Sequence, residues 1–207
     1  MNLKETYNKI AKNWHKDHEK DDWWVCGADV FISLLKPGNL VLDVGCGSGT
    51  KSKYLTEHGL RVFGIDIAEK MIEIAKKEVP TGTFSVLDLD EASTLIDVFD
   101  GILAQAVLLH IPQKEVEKRI KKLAQKLKSG GYFYVAVKER EPNGPEEEVR
   151  IEKDYGYVYE RFFSYFTIDE MRRYLQNAGC KIVFEKITPT GGSTRWIQMI
   201  GQKQWST

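Results

Sequence analysis

The stretch VLDVGCGSGT, residues 41–50, constrains the fold of this chain more than any other. A short apolar run carries Asp43 and then breaks into Gly45, Gly47 and Gly49, spaced two apart. Such a run reads as a buried strand, and glycines directly after it let the chain turn tightly into a helix. The same glycines let a ligand approach main-chain N–H groups at the N-terminus of that helix. The spacing is G-x-G-x-G, which lacks the final glycine of the dinucleotide fingerprint G-x-G-x-x-G.

The strand-then-helix pattern repeats along the chain. Strands are expected at 40–44, 61–67, 83–90, 99–106 and 132–139, with helices from the glycine turn to about 58, at 68–78 and at 113–128. SGG at 129–131 reads as the break between the last helix and the fifth strand. Alternation of this kind means βαβ units, a parallel sheet and right-handed crossovers. Two helices precede the first strand, at 4–20 and 24–35; the first sets Tyr7, Ile10, Ala11 and Trp14 on one stripe. The stretch 141–156 is a loop by composition, followed by an aromatic strand at 157–166 and a helix to about 177. The apolar runs 180–187 and 193–201 read as an antiparallel hairpin joined through TPTGG. The expected fold is therefore α/β: a Rossmann-like, doubly wound, mostly parallel seven-stranded sheet ending in that hairpin. Residues 1–36 form a helical segment ahead of a single domain at 37–207, with 140–166 as an elaboration.

With 207 residues the chain is long enough to bury about 70% of the surface its unfolded form exposes. Thirty Lys and Arg balance thirty Asp and Glu, so the strongly basic balance of nucleic-acid binders is missing. The basic helix at 114–128 interleaves Glu115 and Glu117, as a solvated outer face does. Cys26, Cys46 and Cys180 match no zinc or disulfide spacing and read as buried free thiols; no metal is expected. No apolar run approaches the ~20 residues of a membrane span, and the first residues lack a signal-peptide core, so a cytoplasmic protein is expected.

Distinctive residues gather at the carboxyl ends of the strands, where open α/β sheets bind ligands. The three glycines follow strand one, Asp66 ends strand two, Asp88 ends strand three, and Gln105 ends strand four. Asp66 is either an acceptor for ribose hydroxyls or a helix N-cap, and Asp88 either meets a base or caps the segment after it.

On these residues the chain resembles the class I S-adenosylmethionine-dependent methyltransferases. VLDVGCGSGT resembles the family's first motif, VFGIDIAEKMIEIAKK its second and FSVLDLDE its third. FDGILAQAVLLHIP and LKSGGYFYVAVKE resemble the fourth- and fifth-strand motifs, and RFFSYFTIDEMRRYLQNAGCKIVFEK the late block of the small-molecule branch. The resemblance implies S-adenosylmethionine as cofactor, with the turn Gly45–Cys46–Gly47–Ser48–Gly49 passing its methionyl and ribose parts. It implies Asp66 on the ribose, Asp88 and the Leu89 N–H on the adenine, and Ile67 and Met71 packed on the adenine face. Gln105 or its carbonyl would meet the methionyl amino group. Asp43 would hold the turn from beneath or reach that group through water. A carboxylate beside the turn suits a phosphate-free cationic ligand better than a pyrophosphate.

The reaction so implied is in-line methyl transfer to a small-molecule acceptor, giving S-adenosylhomocysteine. The alternatives of the same fold are an RNA-modifying enzyme and an inactive cofactor-binding protein. His110 is either a general base or a structural histidine; His15, His18 and His58 read as surface groups. Tyr7 and Trp14 belong to a segment that folds over the cofactor as a lid or packs on the domain. The acceptor wall is expected around His110, Arg140, Tyr157 and Arg161, the two arginines being candidates to neutralise an anionic acceptor. Oligomeric state is not written in the sequence.

Overall fold

The computed structural model describes residues 2–96, 98–190 and 193–205. Helices α1 (Leu3–His18) and α2 (Val25–Ser33) precede β1 (Leu40–Val44), α3 (Thr50–Glu57), β2 (Arg61–Asp66), α4 (Glu69–Glu78) and β3 (Thr83–Val86). Then follow β4 (Phe99–Gln105), α5 (Gln113–Gln125), β5 (Leu127–Lys138), β6 (Glu147–Glu152), β7 (Tyr159–Ser164), α6 (Ile168–Asn177), β8 (Cys180–Pro189) and β9 (Arg195–Lys203). Seven strands form one sheet in the order β3-β2-β1-β4-β5-β9-β8, parallel except where β9 joins β5 and β8 antiparallel. The fold is the expected Rossmann-like sheet with its C-terminal hairpin; Gly191 and Gly192 of the hairpin turn lie outside the described residues.

The sheet is covered on both faces because its central strands are apolar at successive positions, as buried parallel strands are. Leu42, Val44, Ile102, Ala104, Phe133 and Val135 point to the α5 and α6 side, with Val116, Ile120 and Leu175. Val41, Leu103, Tyr134 and Ala136 point the other way, against Phe31 of α2 and Leu55 of α3. Strand order reverses between β1 and β4, so the ends at Val44 and Gln105 open a crevice at the topological switch point.

Three local expectations change. The third strand stops at Val86 rather than 90, because Asp88 opens a 3₁₀ turn over Leu89–Thr94 through a capping box with Glu91. The helix expected to 128 ends at Gln125, and the SGG stretch lies within β5 as an irregularity. The register passes from Phe99↔Leu127 directly to Gly101↔Tyr132. The expected loop 141–156 contains β6, which pairs antiparallel with β7 in a separate ribbon. Val149 and Ile151 do alternate there, but they face solvent while Glu148 and Glu152 turn toward the body, the reverse of the usual pattern.

Candidate functional site at the sheet switch point

A cavity of about 1090 Å³ opens at the carboxyl ends of β1, β2 and β4. Asp43, Gly45, Cys46, Gly47, Asp66, Ile67, Met71, Asp88, Leu89 and Gln105 all line it, as do Tyr7 and Trp14 from α1. Gly45 has φ +67°, and a side chain there would run into Val107; Gly47 has φ +54°, and a Cβ there would meet no protein atom, only the cavity. Gly49 lies apart from the cavity wall: it is the left-handed N-cap of α3, tight against Ala75 of α4.

The acids are held by the backbone. Asp66 accepts from Gly47 N–H at 3.0 Å and Ala68 N–H at 2.9 Å, so it ties the glycine turn to the entry of α4, whose N-cap position is Ala68 rather than Asp66. Each oxygen keeps lone pairs free for further donors. Burial raises its pKa, opposed by those N–H groups. Asp43 is 2% exposed, accepts from the Ser52 hydroxyl at 2.6 Å, and burial pushes its pKa up to about 6. Asp88 accepts from the Asp90 N–H at 2.8 Å as the turn cap. Gln105 is buried, and neither its amide oxygen nor its nitrogen has a partner among the described residues.

Helix α1 covers the cavity through polar contacts. Tyr7 Oη donates to His110 Nε2 at 2.9 Å, and His110 Nδ1 donates to the Phe162 carbonyl at 2.8 Å; the carbonyl can only accept, which assigns the tautomer. Burial, with Arg161 and Lys138 nearby, drives the His110 pKa down to about 3, so the ring is neutral. Both nitrogens are therefore engaged, and a base role would require Tyr7 to withdraw. His15 Nδ1 meets the Ser48 hydroxyl at 3.0 Å, and His18 stacks on Trp14 at 3.6 Å beside the cavity. Neither is the surface group expected; His58 bonds back to the Tyr54 carbonyl of its own helix.

The arginines expected in the acceptor wall are already paired. Arg140 meets Glu146 and Glu170 and does not line the cavity. Arg161 does line it, between the Trp14 and Phe163 rings, but both its Nε and Nη2 donate to Glu152. Tyr157 also lies outside the cavity, its hydroxyl donating to the Lys9 carbonyl at 2.8 Å. Lys51 and Lys138 are among the cavity residues that the sequence reading missed. Lys51 follows Thr50 in the first turn of α3, and Lys138 ends β5. A lysine closing the apolar run YFYVAV at a strand's carboxyl end was the legible signal for the second.

On α5, Lys121 pairs with Glu117, and Arg119 with Glu115 and Asp90, so its basic face is partly neutralised. Cys46 and Cys180 are buried free thiols as expected, whereas Cys26 is exposed. Among the described residues no three His, Cys, Asp or Glu groups are placed to hold a metal ion, and no helix is long and apolar enough to cross a membrane.

A methyltransferase-domain family model matches residues 28–185. A phosphoethanolamine N-methyltransferase from Triticum aestivum is 31% identical over 156 residues, covering 72% of this chain and 30% of that protein. A ubiquinone biosynthesis O-methyltransferase from Coxiella burnetii is 32% identical over 134 residues, 56% of each. The chain thus spans between about a third and just over half of these relatives' length. The 1,6-didemethyltoxoflavin-N1-methyltransferase of Burkholderia thailandensis, solved with bound 1,6-didemethyltoxoflavin and S-adenosylhomocysteine, has the same fold. Its TM-score is 0.75 at 20% identity, over 98% of this chain and 88% of that one. With the switch-point cavity and a domain match over most of its length, the chain belongs to the class I S-adenosylmethionine-dependent methyltransferases.

Proposed function

We propose that the protein transfers a methyl group from S-adenosylmethionine to a small-molecule acceptor and releases S-adenosylhomocysteine. The observation that carries this reading is the unpartnered Gln105 amide in the cavity wall beside the Gly45–Gly47 turn. A buried amide without partners costs about 1–3 kcal/mol, a cost that polar groups of a ligand would offset. The donor set fits the cofactor: carboxylates and an amide for hydroxyl, amino and ammonium groups. Asp66 would hold the ribose, Asp88 and the Leu89 N–H the adenine, with Ile67 and Met71 against its face. Asp43 and Gln105 would serve the methionyl ammonium. Lys51, in the first turn of α3, would serve the carboxylate, which a helix N-terminus also favours. The acceptors named for the relatives are small molecules, which supports that size class here.

The cofactor, when bound, supplies a methyl group on cationic sulfur, already activated for displacement. The chain's own part is alignment and exclusion of water. Helix α1 contributes Tyr7 and Trp14 as a cover, and His110 holds Tyr7 in place rather than taking a proton. Isothermal titration with S-adenosylmethionine tests the reading. Wild type should bind, and Asp66→Ala about 100-fold or more weaker, since two charge-assisted bonds of about 1.5–3 kcal/mol each are lost. Absence of binding by the wild type overturns it.

A further inference from the structure

We propose that Lys138 is a recognition site for an oxyanion, carboxylate or phosphate, carried by the methyl acceptor; this rests on the cavity being the methyl-transfer site.

Three observations lead there. First, placement: Gln105 pairs with Ala136 across β4 and β5, so Lys138 stands two residues further along the strand. Two strand residues advance about 7 Å, which takes Lys138 beyond the cofactor edge but keeps it in the same cavity. Its backbone is fixed on both sides, by the register with Trp196 and by the Phe166 N–H on its carbonyl. Second, surroundings: Nζ lies 4.2 Å from the Phe163 ring centroid and 5.9 Å from that of Trp196. Among the described residues no carboxylate lies within 4.0 Å of it. Third, local charge: the acids nearby are already engaged. Glu152 takes Arg161, and Glu148 takes Arg150 and the Tyr165 hydroxyl. Three cations (Lys138, Arg150, Arg161) thus face two carboxylates, leaving one positive charge, and Lys138 is the member without a partner.

Ring faces stabilise an ammonium less well than a hydrogen-bonded anion does. Burial and the neighbouring Arg150 and Arg161 also hold its pKa down to about 8, the signature of a cation in want of a counter-charge. The arginines expected to read an anion are spent within the protein, and the residue that can do so is the lysine beside them.

The test uses protein loaded with S-adenosylhomocysteine and two probes, benzoate and inorganic phosphate, followed by tryptophan fluorescence. Wild type should bind at least one probe, and the preferred one distinguishes carboxylate from phosphate acceptors. Lys138→Met should weaken that binding about 10- to 100-fold, and Lys138→Arg should retain it to within about fivefold. Both variants should bind S-adenosylhomocysteine as wild type does, so a cofactor failure is read separately from an anion failure. Independently of any variant, acetic anhydride labelling of Lys138 in the wild type should be suppressed by the bound probe and not by chloride. Equal probe affinity in Lys138→Met and wild type, or labelling unaffected by either probe, overturns the proposal.

Discussion

The buried carboxyl of Asp43 opposes the fold at neutral pH by an amount that its burial sets. Its carboxyl sits 2% exposed beneath the glycine turn, with the Ser52 hydroxyl as its hydrogen-bond donor. Burial raises its pKa from an ordinary 3.8 to about 6. A carboxyl that holds its proton more tightly folded than unfolded makes stability fall as pH rises from about 4 through about 6. The gap between those values is worth about 3 kcal/mol at 1.36 kcal/mol per pH unit, all of it acting against the fold at pH 7. Asp43→Asn keeps an oxygen for Ser52 and removes the ionisation. Without cofactor, the variant should be about 2–3 kcal/mol more stable than wild type at pH 7, and the two should converge near pH 4. Urea unfolding at pH 4, 5, 6 and 7 gives this difference directly, and comparison of the pair cancels every other titrating group, Asp66 included. On the proposed reading, in which the carboxylate serves the methionyl ammonium, the same variant should also bind S-adenosylmethionine more weakly at pH 7. A stability difference that stays flat from pH 4 to 7, or a variant less stable than wild type at pH 7, would refute the burial argument.

Other perturbations have equally definite outcomes. Gln105→Leu removes a buried amide that has no partner among the described residues, so the melting temperature should hold or rise while cofactor affinity falls about 10-fold or more, seen by calorimetry. Tyr7→Phe leaves His110 Nε2 buried without a donor, at about 1–3 kcal/mol, and should speed amide hydrogen exchange across α1 more than across α5. Glu152→Gln strands the Arg161 guanidinium in a mostly buried position and should cost about 2–3 kcal/mol, a melting point roughly 5–10 °C lower by calorimetry. With His110 held neutral by a pKa of about 3, catalytic rate between pH 6 and 8 should show no ionisation traceable to it; a limb that vanishes in His110→Gln contradicts this.

The parts of the molecule that were legible in the sequence are those where local pattern and tertiary environment agree. The alternation of apolar runs and amphipathic helices names a parallel sheet because both faces must be covered, and the glycine turn marks the strand end where Asp43, Asp66 and Gln105 meet. The ribbon at β6 was hidden because its composition is that of a loop and its charged side is the inward one. Arg140 and Arg161 were credible anion readers from position, yet sequence does not show that Glu146, Glu170 and Glu152 reach them first. Asp88 was left between two roles, and it fulfils the capping role while still facing the cavity. The link from Tyr7 to His110 to Phe162 joins residues more than fifty positions apart, and no spacing rule reaches that far.

The β6–β7 ribbon shares no register with the large sheet and touches its ladder at the Glu139–Phe166 bridge. Its inner residues can therefore change, and its length can grow or shrink, without breaking a hydrogen bond of the seven-stranded ladder. The proposed donor end has no such freedom, since the groups assigned to it stand at the ends of the central strands themselves. In a lineage under selection for new acceptors, substitutions should accumulate first in 141–166, while the turn after β1 stands still.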